Sequence, residues 1–112
     1  MEKTYKPLLM DSIKAAVDIE KQRFINFNGN YCGDKQKAYG VSDVEMEAGQ
    51  YAPIALNGIL LIKTSGVLAV GDKVTSDAVG KAKKAGDADP LNGYALDAAS
   101  GADEVIRIAK GI

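Results

Sequence analysis

Histidine and tryptophan are absent from this 112-residue chain, and Cys32 is its single cysteine. Without histidine the commonest general base and metal ligand is missing, which excludes His-dependent triads, Cys-His nucleophilic pairs and the usual catalytic zinc sites. A lone cysteine excludes an intrachain disulfide and a cysteine-based zinc site; it fits a reducing cytoplasm and reads as a small packed hydrophobe. Aromatic residues make up 6% of the chain, so a core must be built from Val, Ile, Leu and Ala, and few large anchors remain for a hot-spot interface. No run approaches the ~20 apolar residues of a membrane span, and charges interrupt the first residues too often for a signal peptide. Neither sign of charge dominates: 14 basic residues face 15 acidic ones, for a net charge of −1. No global field draws the chain toward nucleic acid or an anionic membrane. These absences point to a soluble binding or structural module, not an enzyme, with no cofactor and no metal.

What is present is glycine and short apolar runs. Twelve glycines, most of them 7 to 10 residues apart, punctuate a chain that is 46% hydrophobic. Turn signals at that spacing mark a sandwich or small barrel. The β-like runs between them cover residues 22–27, 38–44, 51–56, 59–63, 73–75, 94–96 and 104–109. The last is the clearest, since Ile106 and Ile108 alternate with Val105, Arg107 and Ala109. Asn57-Gly58 fits either a tight hairpin or a bend within one long strand, and Pro53 belongs at an edge or bulge. At an offset of 53, Gly40-Val41 matches Gly93-Tyr94 and Gly58-Ile59 matches Gly111-Ile112, a faint internal repeat. Residues 1–21 differ in kind and read as an N-terminal arm preceding a β domain over 22–112. From Ser12 the arm suits a short helix through Ile13, Ala16 and Val17, or an extended strand through Val17 and Ile19. Residues 1–10 show no periodicity and are expected to be mobile, with a sticky patch at Tyr5, Leu8, Leu9 and Met10. The fold class expected is all-β: a compact small β-barrel or β-clip, tulip-like domain with an extended or partly helical arm.

Few residues offer chemistry. Asp43, Glu45 and Glu47 alternate along one side of a strand and its turn, in principle able to gather a cation but more simply a solvated acidic edge that discourages strand-to-strand aggregation. Asp87-Ala-Asp89-Pro-Leu-Asn92-Gly93 departs from a calcium loop, with Ala98 at the twelfth position where a bidentate glutamate is required. No phosphate-cradling glycine motif occurs. Lys73, Lys81, Lys83 and Lys84 form the basic cluster, without the aromatics that single-strand binders stack bases on. Ser42-Asp-Val-Glu45 matches a helix capping box in letters only, because it lies in a β-like run.

From Arg23 onward the ordered motifs carry a resemblance. They are Arg23-Phe24-Ile25, Gly40-Val41-Ser42-Asp43, Gly49-Gln50 through Asn57-Gly58-Ile59-Leu60-Leu61-Ile62, Val70-Gly71-Asp72-Lys73-Val74, Ser76-Asp77 with Gly80-Lys81-Ala82, Asn92 through Gly101, and Glu104-Val105-Ile106-Arg107-Ile108. In this order they resemble the bacteriophage capsid cement, or head decoration, proteins. The resemblance implies a β-clip or tulip-like fold without catalytic residues, made in the host cytoplasm and placed on the outer surface of the virion. It implies the major capsid protein of a phage head as partner and a homotrimer on the capsid. For such a role the unpatterned arm supplies the capsid contact, through Tyr5, Leu8, Leu9 and Ile13. The competing reading is a small β-barrel module that binds nucleic acid or carbohydrate.

Overall fold

The computed structural model describes residues 5–111; residues 1–4 of the expected arm, and residue 112, lie outside the described residues. Eight strands follow in order: β1 (Lys6–Lys14), β2 (Phe24–Ile25), β3 (Gly40–Ser42), β4 (Tyr51–Ser65), β5 (Lys73–Ser76), β6 (Ala82–Lys84), β7 (Gly93–Ala95) and β8 (Ala102–Lys110). Five of them close a barrel in the order β4-β6-β5-β7-β8, with β8 returning to β4. β1 and β3 pair with the N-terminal half of β4, and β2 pairs with β3. The barrel forms because alternation supplies one inward face per strand: Ile106 and Ile108 of β8 stand opposite Ile62 and Leu60 of β4, all at or below 1% exposure. With so few aromatics, Val74, Ala82, Ala95 and Ala99 fill the remaining interior.

β4 resolves the ambiguity at Asn57-Gly58 in favour of a bend in one strand. Straight, its 15 residues would span about 50 Å at the usual strand rise, against a longest molecular dimension of 36 Å. The bend falls at Gly58, whose φ of +116° is open to glycine and costly for other residues. Before it, Ala55 faces the larger hydrophobic cluster while Ala52 and Ile54 enter a smaller one; after it, Leu60 and Ile62 face the larger. Even-numbered positions are buried on both sides of the glycine, but they pass from the smaller cluster to the larger there, and β1 answers with register shifts between Pro7 and Leu9 and between Leu9 and Met10. This is a β-bulge re-aiming the strand. Pro53 pairs with Ser12 of β1 on one side, and the β3 pairing stops at Ile54 on the other, so its missing N–H interrupts no central ladder.

The faint repeat recurs in the backbone pairing. Ile19↔Met46 returns as Leu68↔Ala99, Phe24↔Val41 as Lys73↔Tyr94, Ile25↔Gly40 as Val74↔Gly93, and Ile25↔Tyr31 as Val74↔Lys84. In each pair the first partner advances by 49 residues and the second by 53. Hydrogen bonds follow: Gln22 N to Ser42 O, Ser42 N to Arg23 O and Tyr39 N to Ile25 O return as Gly71 N to Ala95 O, Ala95 N to Asp72 O and Asn92 N to Val74 O. Positive φ is kept as well, at Gln22 and Gly71 and at Gly58 and Gly111. The molecule is two tandem units joined through β4, the first ending in its N-terminal half and the second beginning in its C-terminal half. Ile19, Ile25 and Met46 of the smaller cluster hold the places of Leu68, Val74 and Ala99 in the larger, while Phe24, Val41 and Ala55 of the first unit seal against the second.

The expectations for residues 5–21 need correction. Residues 6–14 form a strand hydrogen-bonded along β4 where an unpatterned segment was expected, and no helix occurs among the described residues, so the helical option from Ser12 is not taken. The physical reason is that nearly every β1 side chain is exposed, so neither face needs to be apolar, and the two register shifts break what alternation remains. Beyond β1 the strand alternative is not taken either: residues 15–23 bend twice and make only the isolated bridge Ile19↔Met46, because Ala15, Val17 and Ile19 turn into the smaller cluster instead of lining a sheet.

Candidate functional site

β1 is an edge. Among the described residues it pairs with β4 alone, leaving its outer row of N–H and C=O groups without a strand partner. Leu8, Leu9 and Met10 stand on it at 83%, 50% and 39% exposure. An apolar edge strand is a template for pairing with another chain unless something covers it. Beside it, Asp11 accepts a hydrogen bond from the Tyr39 hydroxyl, and the Tyr39 ring lies 5.1 Å from the exposed ring of Phe27 at a tilt of 44°. The Tyr39 hydroxyl, and then the Ser12 N–H, hold the Asp11 carboxyl below the usual carboxylate range; the same contact raises the Tyr39 phenol. Tyr51, opposite Lys14, adds a further exposed ring at the end of the strand pair.

The four residues expected to make the contact are brought onto one segment but not onto one surface. Leu8 and Leu9 are open. Tyr5 is half-buried against the larger cluster, its hydroxyl near Met10 Sδ and Asp43, and its phenol is raised first by burial and then by Asp43. Ile13 is half-buried against the smaller cluster. Strand alternation and the bulges between Pro7 and Met10 divide these side chains between the edge and the body. Phe27 and Tyr51 were not anticipated as surface residues. The signal for Phe27 lay in its place within Asn26-Phe27-Asn28-Gly29, where Asn26 Oδ1 accepts from the Asn28 and Asn30 N–H groups and a turn of this kind has no interior in which to bury a ring.

The other candidate residues are dispersed. Asp43 goes to Tyr5, whereas Glu45 and Glu47 line an open acidic cleft with Asp18 and Glu20. In the basic cluster, Lys81 is paired with Asp103 at 2.6 Å and Lys83 with Asp34, so half of its charge is already answered. Asp103 is correspondingly held low by Lys81. Asp89 accepts from the Gly86 N–H within a turn, and Ser42 bonds to the backbone at Glu20 and Arg23, tying β3 to the segment before β2. Cys32 is fully buried between the units, which pushes its thiol pKa up.

No curated protein sequence matches the chain. Among solved structures, it is similar to the N base of the head fibre of bacteriophage phi29, with a TM-score of 0.78 at 13% identity, over 92% of this chain and 93% of that one. At that identity the likeness establishes a common fold. The sequence model of the phage cement proteins matches residues 6–109, from the first residue of β1 almost to the end of β8. Because that match takes in both units and the edge strand together, the chain belongs to the phage cement protein family, and its role is a structural one at the phage capsid.

Proposed function

We propose that the protein attaches to the outer surface of a phage head and stabilises the shell by binding alone, without catalysis. The observation that carries this reading is the unpaired, apolar outer edge of β1. Leu8 and Leu9 contribute nothing to the protein's own core where they stand, and full burial of a leucine is worth roughly 1.5–3 kcal/mol. The partner is the major capsid protein, which contributes a strand or groove to the β1 edge. Copies act as a homotrimer about a local three-fold axis, since a small domain with few aromatics makes several modest contacts more readily than one large one. Bridging neighbouring subunits in many copies resists opening of the shell through multivalency.

The test mixes purified protein with undecorated heads and counts bound copies on the particles. Deleting residues 1–13 would strip the N-terminal half of β4 of nearly all its β1 pairing as well as removing the contact, so charge substitutions are cleaner. Leu8→Asp and Leu9→Asp should fold as the parent does and weaken head binding roughly 10- to 100-fold per site. Unchanged occupancy in both variants would overturn β1 as the contact. Particles carrying isolated single copies would overturn the trimer.

A further inference from the structure

At the seam between the two units, Lys37, Asn57, Leu91, Asn92, Gly93 and Lys110 surround a cavity of about 350 Å³ whose lining contains no acidic residue. Lys110 is only 9% exposed, yet no carboxylate among the described residues pairs with it and no acceptor takes a hydrogen bond from its ammonium. Lys37 approaches from the other unit and is pinned at the rim by donating to the Leu91 carbonyl at 2.6 Å, which leaves two of its N–H groups uncommitted. The Asn92 amide is turned to other partners: its Oδ1 accepts from Ala38 N at 2.9 Å and its Nδ2 donates to Gln36 O at 2.8 Å. Burial, and then the Lys37 charge, push the Lys110 pKa down.

Folding does not demand a cation at this place. Lys110-Gly111 is the counterpart of Asn57-Gly58, with positive φ at both glycines, and the first unit fills the position with a neutral asparagine. Two ammonium groups facing one cavity, one of them on a largely buried stem, repel each other unless an anion joins them. We propose that this cavity binds an oxyanion, a carboxylate or a phosphate, held between the ammonium groups of Lys37 and Lys110. Two lysines act on such a ligand as point charges with rotatable donors, so the site selects charge more strongly than shape.

The test titrates the full-length, isotope-labelled protein with inorganic phosphate and, separately, with acetate, each at ionic strength held constant with chloride, and follows backbone amide shifts. Saturable shifts centred on Asn57, Gly93 and Lys110 are expected. Saturation by phosphate alone assigns a phosphate site, and saturation by acetate assigns one that accepts a protein carboxylate. Lys110→Met should weaken binding at least 10-fold, and in chloride alone it should melt higher than the parent because the unpaired charge is gone. Lys37→Met, at an exposed position, should weaken binding without disturbing the fold and supplies the test independently. Shifts that grow linearly and match those of chloride, or parental affinity in both variants, would overturn the proposal.

Discussion

Gly58→Ala tests the joint on which the two units turn. At φ +116° the substituted residue is strained by roughly 1–3 kcal/mol. Its Cβ would also lie 2.4 Å from Lys6 O and 2.7 Å from Leu8 N, both backbone atoms that cannot rotate away. The relief available is for the start of β1 to lift from β4, which gives up the pairings Lys6↔Ile59 and Pro7↔Gly58 at a net cost of about 1 kcal/mol per hydrogen bond lost. Together these give a destabilisation of about 2–4 kcal/mol and a fall in melting temperature on the order of 10 °C. Amide exchange separates the local part from the global. Residues of β1 should lose protection in excess of the drop in global stability, while Leu60, Ile62, Ile106 and Ile108 in the β4–β8 ladder should follow global unfolding alone. A Gly58→Ala protein that melts with the parent and keeps full β1 protection would refute both the strain argument and the register at the bulge.

Three further outcomes follow from the packing and electrostatics. Ile106→Ala, at 1% exposure in the barrel interior, should cost about 2–5 kcal/mol in urea unfolding; a loss under 1 kcal/mol would place that side chain outside the core. Asp11, held low by Tyr39, contributes stability that is present above its unfolded pKa and lost as pH falls through the lower folded one. An NMR titration of its carboxyl should therefore show a midpoint below the ordinary carboxylate value, rising in Tyr39→Phe, and no rise would remove that hydrogen bond. Cys32, buried with its thiol pKa raised, should resist thiol reagents in native buffer and react fully in denaturant; rapid native labelling would contradict its burial.

The sequence spoke most clearly where one strand face is buried and the other is not. Alternation through Ile106 and Ile108 marks the last strand, and the same reasoning finds Leu60 and Ile62, because both strands send every second residue into the barrel. It failed for β1, where pairing is made by backbone groups that any residue carries. The repeat was faint for a related reason. Gln22 and Gly71 share a backbone conformation and hydrogen-bonding role without sharing chemistry, and a segment four residues longer between β5 and β7 than between β2 and β3 changes the offset from 49 to 53. A comparison at one fixed offset catches only the positions after that insertion. The surface site was half legible: Leu8 and Leu9 stood out as apolar residues without a pattern, but the placement of Phe27 depends on Tyr39, which is remote in sequence and contiguous only in the fold.

Duplication also bears on the edge that β1 leaves open among the described residues. One unit of about 50 residues is close to the size below which a hydrophobic core alone gives marginal stability, and this chain has neither a disulfide nor histidines for a metal to add to it. Joining two units through β4 lets Phe24, Val41 and Ala55 complete the larger cluster, so each unit covers apolar surface the other would expose. Within the pair, the opening strand of the second unit, the C-terminal half of β4, is covered on both sides. β8 lies along one edge, and the start of β1, the Gln22 carbonyl and Ala82 of β6 meet the other. The opening strand of the first unit is β1, and no preceding unit among the described residues covers it. The two units are thus unequal at their opening strands. This leaves the outer edge of β1 free among the described residues, paired along its length with β4 and through β4 with the closed barrel, so a load applied at the edge is carried by a backbone ladder instead of by a flexible arm.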